Sequence, residues 1–248
     1  MDLKKLHFTI VISALVLATG IVAGLWLHAW QNGLSQSNDA ISITGSAKIK
    51  ATSDLVKWTA GFSLQADLSN IKQKLDEMNS NVGKIRGFIK NYDLKDENIT
   101  FVPLTTDPIY ETIPGYGMSQ NVIGYNIRQE VRVESPDISK VEKLTQEVRK
   151  LIDQGVVPEY QRTEYYYTKL TDLRPQVFAE ATKDAQIKAA AIASVTGVKV
   201  GKLKVAKTGV IQVLPPNSTD ISDWGQYDLS TKEKEVSGTV TVTFELIK

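Results

Sequence analysis

The chain has no cysteine and only two histidines among its 248 residues. The histidines are His7 and His28, so nothing beyond residue 28 carries an imidazole or a thiol. Hydrolytic triads need a histidine base, and the common zinc and copper sites need histidine or cysteine ligands. These classes of site are therefore excluded from the folded part of the chain, together with disulfide bonds and redox-active thiols.

The chain also lacks an excess of charge of either sign. It contains 29 lysines and arginines and 28 aspartates and glutamates, which gives a net charge of +1. A nucleic-acid-binding protein usually presents a basic face, so we expect no nucleic-acid partner. Without disulfides, stability must come from a packed core, and the chain is long enough to build one.

Near the amino terminus stands one long apolar run, from Phe8 to Trp30. As a helix these 23 residues span roughly 34 Å, which is enough to cross a bilayer. A cleaved signal has a shorter apolar core, and the tryptophans Trp26 and Trp30 suit a membrane interface. We therefore favour an uncleaved signal anchor. Cleavage near Asp39-Ala40 is the alternative.

The anchor predicts the organisation of the whole chain. Lys4 and Lys5 precede it, so the positive-inside rule puts residues 1–7 in the cytoplasm. Residues 8–30 form the transmembrane span, residues 31–39 form a polar tether, and residues 40–248 form one domain. The predicted location is the cell membrane, crossed once, with the domain on the extracytoplasmic side.

Beyond the tether, hydrophobic periodicity predicts an α+β domain with antiparallel sheets and three covering helices. Period-two alternation is typical of strands with one buried face. Strands are predicted at Ile41 to Ile49, Val56 to Leu64, Asn98 to Asp107, Ile123 to Val133, Tyr160 to Thr168 and Val236 to Leu246. The segment from Val198 to Leu214 is predicted as a strand pair or one long strand. Loops are predicted from Pro108 to Gly117 and from Pro215 to Lys234.

The clearest predicted helix runs from Leu68 to Ile89, with apolar residues at spacings of three and four. Gly83 and Gly87 lie off its apolar stripe. Glycines in such positions weaken a helix, and we expect them to admit another backbone closely.

Two further helices follow. The second starts with Ser135-Pro136, read as an N-cap and a proline at the first helical position, and continues to Gly155. The third is capped by Asp172, has Pro175 in its first turn and runs to Gly197, and it carries seven alanines. Such small side chains let a helix lie close to its neighbour.

Several segments of the chain match a known family. The first strand contains Ile43-Thr44-Gly45, the return strand begins at Gly124-Tyr125, and the last strand is Val236 to Leu246. The alanine helix is the most specific segment, through Ala181, Asp184-Ala185, Lys188-Ala189, Ala193, Gly197 and Gly201-Lys202. On these residues the chain, from about Ala40 to Lys248, resembles the SIMPL domain family of exported bacterial and archaeal proteins. Ser53-Asp54 stands where many members have Pro-Asp.

The resemblance implies links to oxidative-stress defence, cell-envelope antigens and signalling-complex partners. Some members of the family look like homo-oligomers that form rings. The resemblance implies no agreed catalytic residue. Met78 and Met118 are the only methionines beyond the initiator, and cysteine is absent. Any protective role is therefore expected to be indirect.

Three carboxylate pairs are candidates for acid–base chemistry or calcium binding. They are Asp93 with Glu97, Asp220 with Asp223, and Glu233 with Glu235. Solvated loop charge is the favoured interpretation, because none has the spaced oxygen ligands and turn glycine of a calcium loop.

Two groups of aromatic residues are candidates for binding. Consecutive strand residues face opposite ways, so core or interface packing is favoured over ligand stacking for Tyr165, Tyr166 and Tyr167. Trp224 and Tyr227 lie in a polar loop. They are either held against the domain or presented to a partner.

The sequence thus predicts a non-enzymatic, membrane-anchored envelope protein that acts as a homo-oligomeric scaffold or binding module. Its expected partners are the membrane through Phe8 to Trp30, further copies of itself, and an envelope protein or ligand. No catalytic, cofactor-binding or metal-ligating residue is assigned. Two alternatives stay open: a carboxylate-dependent hydrolase of envelope sugars, with two acids about 5–10 Å apart, and a small-ligand receptor.

Overall fold

The computed structural model describes Val22, Ala23, Trp26 and residues 39–219 and 224–247. The predicted span Phe8 to Trp30 and the tether therefore lie almost wholly outside the described residues. Among the residues that are described, no helix is both long enough and apolar enough to cross a membrane.

In the described part of the chain, the α+β class with antiparallel sheets is confirmed. The strands are β1 (Ala40–Thr52), β2 (Leu55–Asp67), β3 (Ile99–Phe101), β4 (Thr105–Ile113), β5 (Gly117–Ser135), β6 (Pro158–Tyr166), β7 (Lys199–Leu214) and β8 (Glu233–Ile247). The helices are α1 (Ile71–Lys90), α2 (Ile138–Gln146), α3 (Arg149–Ile152) and α4 (Leu170–Val195).

These elements belong to two compact units. The main unit comprises Thr44–Ala185 and Lys207–Thr241. The smaller unit contains, among the described residues, 39–43, Gln186–Ala206 and 242–247. Five strands of the main unit form one sheet in the order β3-β5-β2-β6, with β4 paired to β5, and the other three strands form a sheet in the order β1-β8-β7.

One face of the five-stranded sheet carries the core of the main unit. Strand β2 is central, because it pairs antiparallel with β5 on one edge and with β6 on the other. Its alternate residues are buried against helices α1 and α2, as the period-two pattern predicts. The buried residues of this core include Val56, Trp58, Ala60, Phe62, Ile85, Ile89, Val131, Val133, Val141 and Leu144.

Helix α1 is shorter than its predicted stripe. It begins at Ile71, and Leu68 lies before it with 57% of its surface exposed. The expected close approach at Gly83 and Gly87 is wrong, since a Cβ built at either position meets nothing within 4 Å. These glycines are simply exposed helix positions.

The second helix starts later than predicted and is broken. Its N-cap is Asp137, whose carboxylate accepts a hydrogen bond of 3.2 Å from the backbone N–H of Lys140, and Ser135 instead accepts from the Asp137 N–H. The helix is then interrupted after Gln146, because the chain tightens into i to i+3 hydrogen bonds such as Leu151 N to Val148 O. This tighter turn keeps both of those apolar side chains buried.

The loop predicted from Pro108 to Gly117 is mostly strand. β4 continues through Pro108 to Ile113, and only a turn with glycines at positive φ separates it from β5. Proline is tolerated because β4 is an edge strand, paired on one side only.

The predicted cap at Asp172 is wrong, because the alanine helix begins at Leu170 and Asp172 is its third residue. The small side chains of the helix do allow close packing. A Cβ at Gly45 would lie 2.0 Å from the carbonyl oxygen of Ala181 and 2.5 Å from the backbone N of Ala185. The helix backbone therefore lies directly on β1 at its glycine. Asp184 adds a hydrogen bond of 2.8 Å from the Ser46 N–H.

Glycine-to-alanine substitutions should have opposite effects at these two places. Gly83→Ala or Gly87→Ala should raise the free energy of unfolding by roughly 0.5–1 kcal/mol, because alanine favours the helix and meets open space. Gly45→Ala should lower the free energy of unfolding, by an amount several times larger than that gain, since the added carbon meets backbone that cannot move aside. Urea unfolding of the three variants measures both effects, and a destabilised Gly83→Ala variant would contradict the assignment.

Candidate functional site

The face of the five-stranded sheet opposite the core is polar, and we call it the open face. It displays alternate residues of the strands β2, β5 and β6. These are Lys57, Thr59 and Gly61 on β2, Arg128, Glu130, Arg132 and Glu134 on β5, and Tyr160, Arg162 and Glu164 on β6. The alternation of β5 was predictable from the sequence, whereas the contribution of β6 was not.

The ring of Tyr160 covers Gly61, its direct partner on β2. A Cβ at Gly61 would lie 2.2 Å from the ring atom Cε1, so only glycine leaves room for it. From there the Tyr160 hydroxyl donates a hydrogen bond to Glu130 Oε2. This bond lowers the pKa of the Glu130 carboxyl, with further help from Arg132, and raises the pKa of Tyr160.

Two arginines lie beside one threonine on this face. Thr59 pairs with Arg132 on β5 and with Arg162 on β6. Neighbouring strands are about 4.8 Å apart, so the two arginine Cα atoms are separated by about 10 Å with Thr59 between them. Arg132 contacts Glu130 at 2.6 Å, and Arg162 Nε lies 3.4 Å from Glu164.

These side chains line a shallow cleft of about 640 Å³ with Lys57, Tyr160 and Gln161. The cleft offers two guanidinium groups and an ammonium group, which are donors suited to a ligand carboxylate or phosphate. The Glu130 carboxylate also lines it and is already contacted by Arg132 and Tyr160. The cleft holds neither a cysteine nor a histidine. Chemically, the arrangement is equipped to bind acidic groups.

An adjoining depression contains the carboxylates Glu130 and Glu159. Arg128 lies between the acids of this region, 3.0 Å from Asp107 and 3.7 Å from Glu159. A glycosidase acid needs a raised pKa so that it holds a proton to donate. The pKa of Glu130 is lowered, which is the opposite direction.

The carboxylate pairs named from the sequence are separate structural contacts. Asp93 lies 2.7 Å from Lys140, and Glu97 lies 3.3 Å from Lys95. On β8, the partners are Thr52 for Glu233, at 2.8 Å, and Lys48 for Glu235, at 3.3 Å. Asp220 and Asp223 lie outside the described residues. Over the part of the chain that is described, no three acidic or histidine side chains converge as ligands for a metal ion.

The predicted aromatic groups have mixed outcomes. Tyr165 packs against the main core, which confirms the packing interpretation, and its hydroxyl donates to Glu142. Tyr227 is held against the domain: its hydroxyl accepts from the Tyr167 N–H at 2.8 Å and donates to the Tyr167 carbonyl at 2.9 Å. Trp224, by contrast, is 95% exposed.

A buried ion pair anchors the polar loop that follows β7. The Lys234 side chain is fully buried, and its Nζ lies 2.7 Å from Asp228 Oδ2 and 2.6 Å from the Asp228 carbonyl. Burial alone raises the pKa of the Asp228 carboxyl, but hydrogen bonds from Lys234, Ser230 and Thr231 outweigh it and hold the pKa well below its usual range. The Lys234 ammonium group and the Asp228 carboxylate neutralise each other, whereas either charge alone would be costly to bury.

The paired strands β4 and β5 extend beyond the rest of the sheet as a two-stranded hairpin. β5 is paired to β2 only from Gly124 onward, so its first residues contact β4 alone. The sixteen residues Thr112 to Ile127 contain no charged side chain. At the turn Tyr116 is 90% exposed and Met118 is 74% exposed. We call the segment from Tyr110 to Ile123 the hairpin arm.

A model of the family described as "SIMPL: Protein of unknown function (DUF541)" matches residues 41–244. The chain belongs to the SIMPL family. The resemblance read from the alanine helix and the closing strand is thereby confirmed. No curated protein matches the chain.

Two solved structures show distant likeness to this SIMPL protein. One is a putative amidohydrolase/peptidase from Burkholderia cenocepacia, with 13% identity over 50% of this chain and 29% of that one, at a TM-score of 0.22. The other is a mutant chlorite dismutase from Candidatus Nitrospira defluvii, with 10% identity over 78% of this chain and 92% of that one, also at 0.22. At these scores neither likeness informs fold or activity.

Breaking the buried ion pair should strongly destabilise the SIMPL domain. Asp228→Asn leaves the Lys234 ammonium buried without a counter-charge, and we expect a loss of about 3–5 kcal/mol in the free energy of unfolding. Because the folded pKa of Asp228 is depressed, its stabilisation is present above the unfolded pKa and is lost as the pH falls through the folded one. Urea unfolding across acidic pH should therefore show a weaker pH dependence in Asp228→Asn than in the parent, and an unchanged dependence would contradict this role.

Proposed function

We propose that this SIMPL protein is a non-enzymatic, membrane-anchored binding module that assembles as a homo-oligomer on the extracytoplasmic side of the cell membrane. Its role in the envelope or in stress defence is then indirect, through organisation or binding. The observation that carries the proposal is the hairpin arm, an exposed extension of the sheet in which Glu111 is the one charged residue and Tyr116 and Met118 are exposed.

Membrane attachment is supported by the sequence of the amino terminus. The run Phe8 to Trp30 has the length and composition of a single span, with Lys4 and Lys5 before it. A domain without cysteine or histidine is compatible with either face of a membrane, so the orientation follows from the lysines alone.

A non-catalytic role is supported by the use of the acidic residues. The described carboxylates named from the sequence contact a lysine or a threonine, and the pKa of Glu130 is lowered. A sugar hydrolase would need one carboxyl with a raised pKa opposite a second, ionised one. The hydrolase alternative therefore has less support than a binding role.

Assembly is supported by the hairpin arm. Among the described strands β4 pairs with β5 alone, and exposed strand edges pair readily with another chain unless charge or a covering element protects them. Within the arm, Thr112 to Ile123 contains no charged side chain, and Tyr116 and Met118 offer apolar area to a second copy. We assign the arm to contacts between copies of this chain.

The assembly proposal is tested with the full chain solubilised in detergent. Light scattering should give a mass well above one copy, and Tyr116→Ser with Met118→Ser should weaken association by about tenfold or more, because two exposed apolar side chains are lost. Trp224→Ser is the matched control, since that aromatic is equally exposed outside the arm. A monomeric parent, or a variant pair with the same mass as the parent, would contradict the proposal.

A second candidate function is favoured by the arginine cleft. Arg132 and Arg162 beside Thr59 offer bidentate donors to an acidic ligand, so the module would act as a receptor for carboxylate-bearing molecules such as uronic acid sugars. Small-ligand pockets are usually mostly apolar, whereas the described cleft is mostly polar.

The receptor role predicts selective binding of acidic sugars. Calorimetric titration should detect digalacturonate and not lactose, a neutral disaccharide, and Arg162→Gln should weaken the interaction about tenfold or more. Arg174→Gln, at an exposed position of α4 away from the cleft, should leave it unchanged. Equal loss in both arginine variants, or equal binding of both sugars, would rule out the cleft as the site.

A further inference from the structure

The smaller unit is basic in a chain that is nearly neutral. Its described residues contain four lysines, Lys188, Lys199, Lys202 and Lys204, against two carboxylates, Asp39 and Glu245. Between Gln186 and Thr219 there is no acidic residue at all. All four lysines are exposed.

The same segment exposes apolar side chains. Val195, at the last turn of α4, is 87% exposed, and further large apolar residues of the segment are at least 46% exposed. They are Ile187, Ile192, Leu203 and Val205. Residues Gln186–Ala206, which we call the basic end, therefore combine exposed lysines with exposed aliphatic groups, the composition of a segment that binds anionic lipids. Along β7, Lys202 and Lys204 alternate with Leu203 and Val205 and lie on the opposite face of the strand.

The basic end lies where the chain enters the domain. The backbone N–H of Leu246 on β8 donates to the Asp39 carbonyl at 2.8 Å. On the other side of β8, a Cβ at Gly201 would contact the side chains of Ile247 and Glu245. With strands about 4.8 Å apart, Asp39 and the start of β7 are only about 10 Å apart across this end of the sheet.

Chain length then limits the distance to the membrane. The apolar run ends at Trp30, nine residues before Asp39. Nine extended residues reach at most about 32 Å. In an anchored chain, this end of the sheet therefore lies within about that distance of the bilayer.

We propose that the basic end docks on the anionic headgroups of the membrane in which the chain is anchored. This inference rests on the anchoring given under the proposed function. The lysines provide attraction to anionic lipid, and Val195 with its aliphatic neighbours enters the headgroup region. A second copy is the weaker occupant, because two such lysine-rich surfaces repel each other.

The absence of cysteine allows a direct test on the full chain. Ser194→Cys, on exposed helix beside Val195, carries a fluorophore, and Ser80→Cys on exposed helix α1 carries the matched control. Both proteins are placed in nanodiscs of phosphatidylcholine with roughly a third phosphatidylglycerol, with and without headgroup spin-labelled lipid. We expect at least about threefold stronger quenching at position 194 than at position 80.

Charge reversal then separates docking from anchoring. Lys199→Glu with Lys202→Glu and Lys204→Glu should abolish most of the excess quenching at position 194, as should about 1 M salt, where the Debye length is about 3 Å. Lys72→Glu with Lys143→Glu and Lys169→Glu carries the same change of net charge in the main unit and should keep it. All variants should still co-elute with the nanodisc, because the apolar run is intact.

Each other outcome contradicts a defined statement. A chain that does not co-elute with nanodiscs overturns the anchoring and the docking together. A chain that co-elutes but is quenched equally at positions 194 and 80 overturns only the docking. A third outcome is that position 194 is still quenched in pure phosphatidylcholine, and that a spin label on another copy of the chain produces this quenching. The occupant of the basic end is then a second chain, which also overturns the docking.

Discussion

Pairing of β2 along both edges is the constraint on which the main unit depends. Because β5 and β6 hydrogen-bond to opposite edges of β2, each residue from Val56 to Phe62 has a fixed neighbour on each side. Trp58 and its alternate residues thereby complete one continuous core face under the helices. The intervening residues, with Thr59 in the middle, necessarily define the open face. The core and the candidate site therefore lie on opposite faces of the same sheet, and both depend on one strand register. A shift of that register by one residue would move the core residues of a strand to the open face.

The charged contacts described for this protein hold its strands and loops together. Lys234 with Asp228 is a charge pair inside the main unit, and Tyr160 with Glu130 couples two strands of the open face. In both cases the pKa of the carboxyl is lowered, which stabilises the ionised form that the fold uses. A catalytic pair of carboxyl groups requires the two pKa values to be driven apart instead. This difference is the physical reason why we propose binding instead of catalysis.

Local sequence signals predicted well the features that depend on a few neighbouring residues. The alternation of β2, β5 and β8 was readable because one face of each strand is buried. The wrong predictions of helix and strand boundaries fall where a local sequence signal is overridden by neighbouring residues or strands. Ser135-Pro136 has the form of a helix start, yet Asp137 takes the cap. Pro108 is a typical loop signal, but an edge strand accommodates it because its outer side needs no N–H donor.

By itself, the sequence determined which chemistries are absent, where the apolar run lies, and which residues of each strand share a face, since composition and short-range periodicity carry that information. Only the tertiary structure decided which strands are neighbours. That decision brings Arg132 and Arg162 to either side of Thr59, although the two arginines are thirty residues apart in the chain. It also places the start of β7 beside the carboxyl end of β8. Strand pairing depends on hydrogen bonds between distant segments, and no local pattern in the chain specifies them.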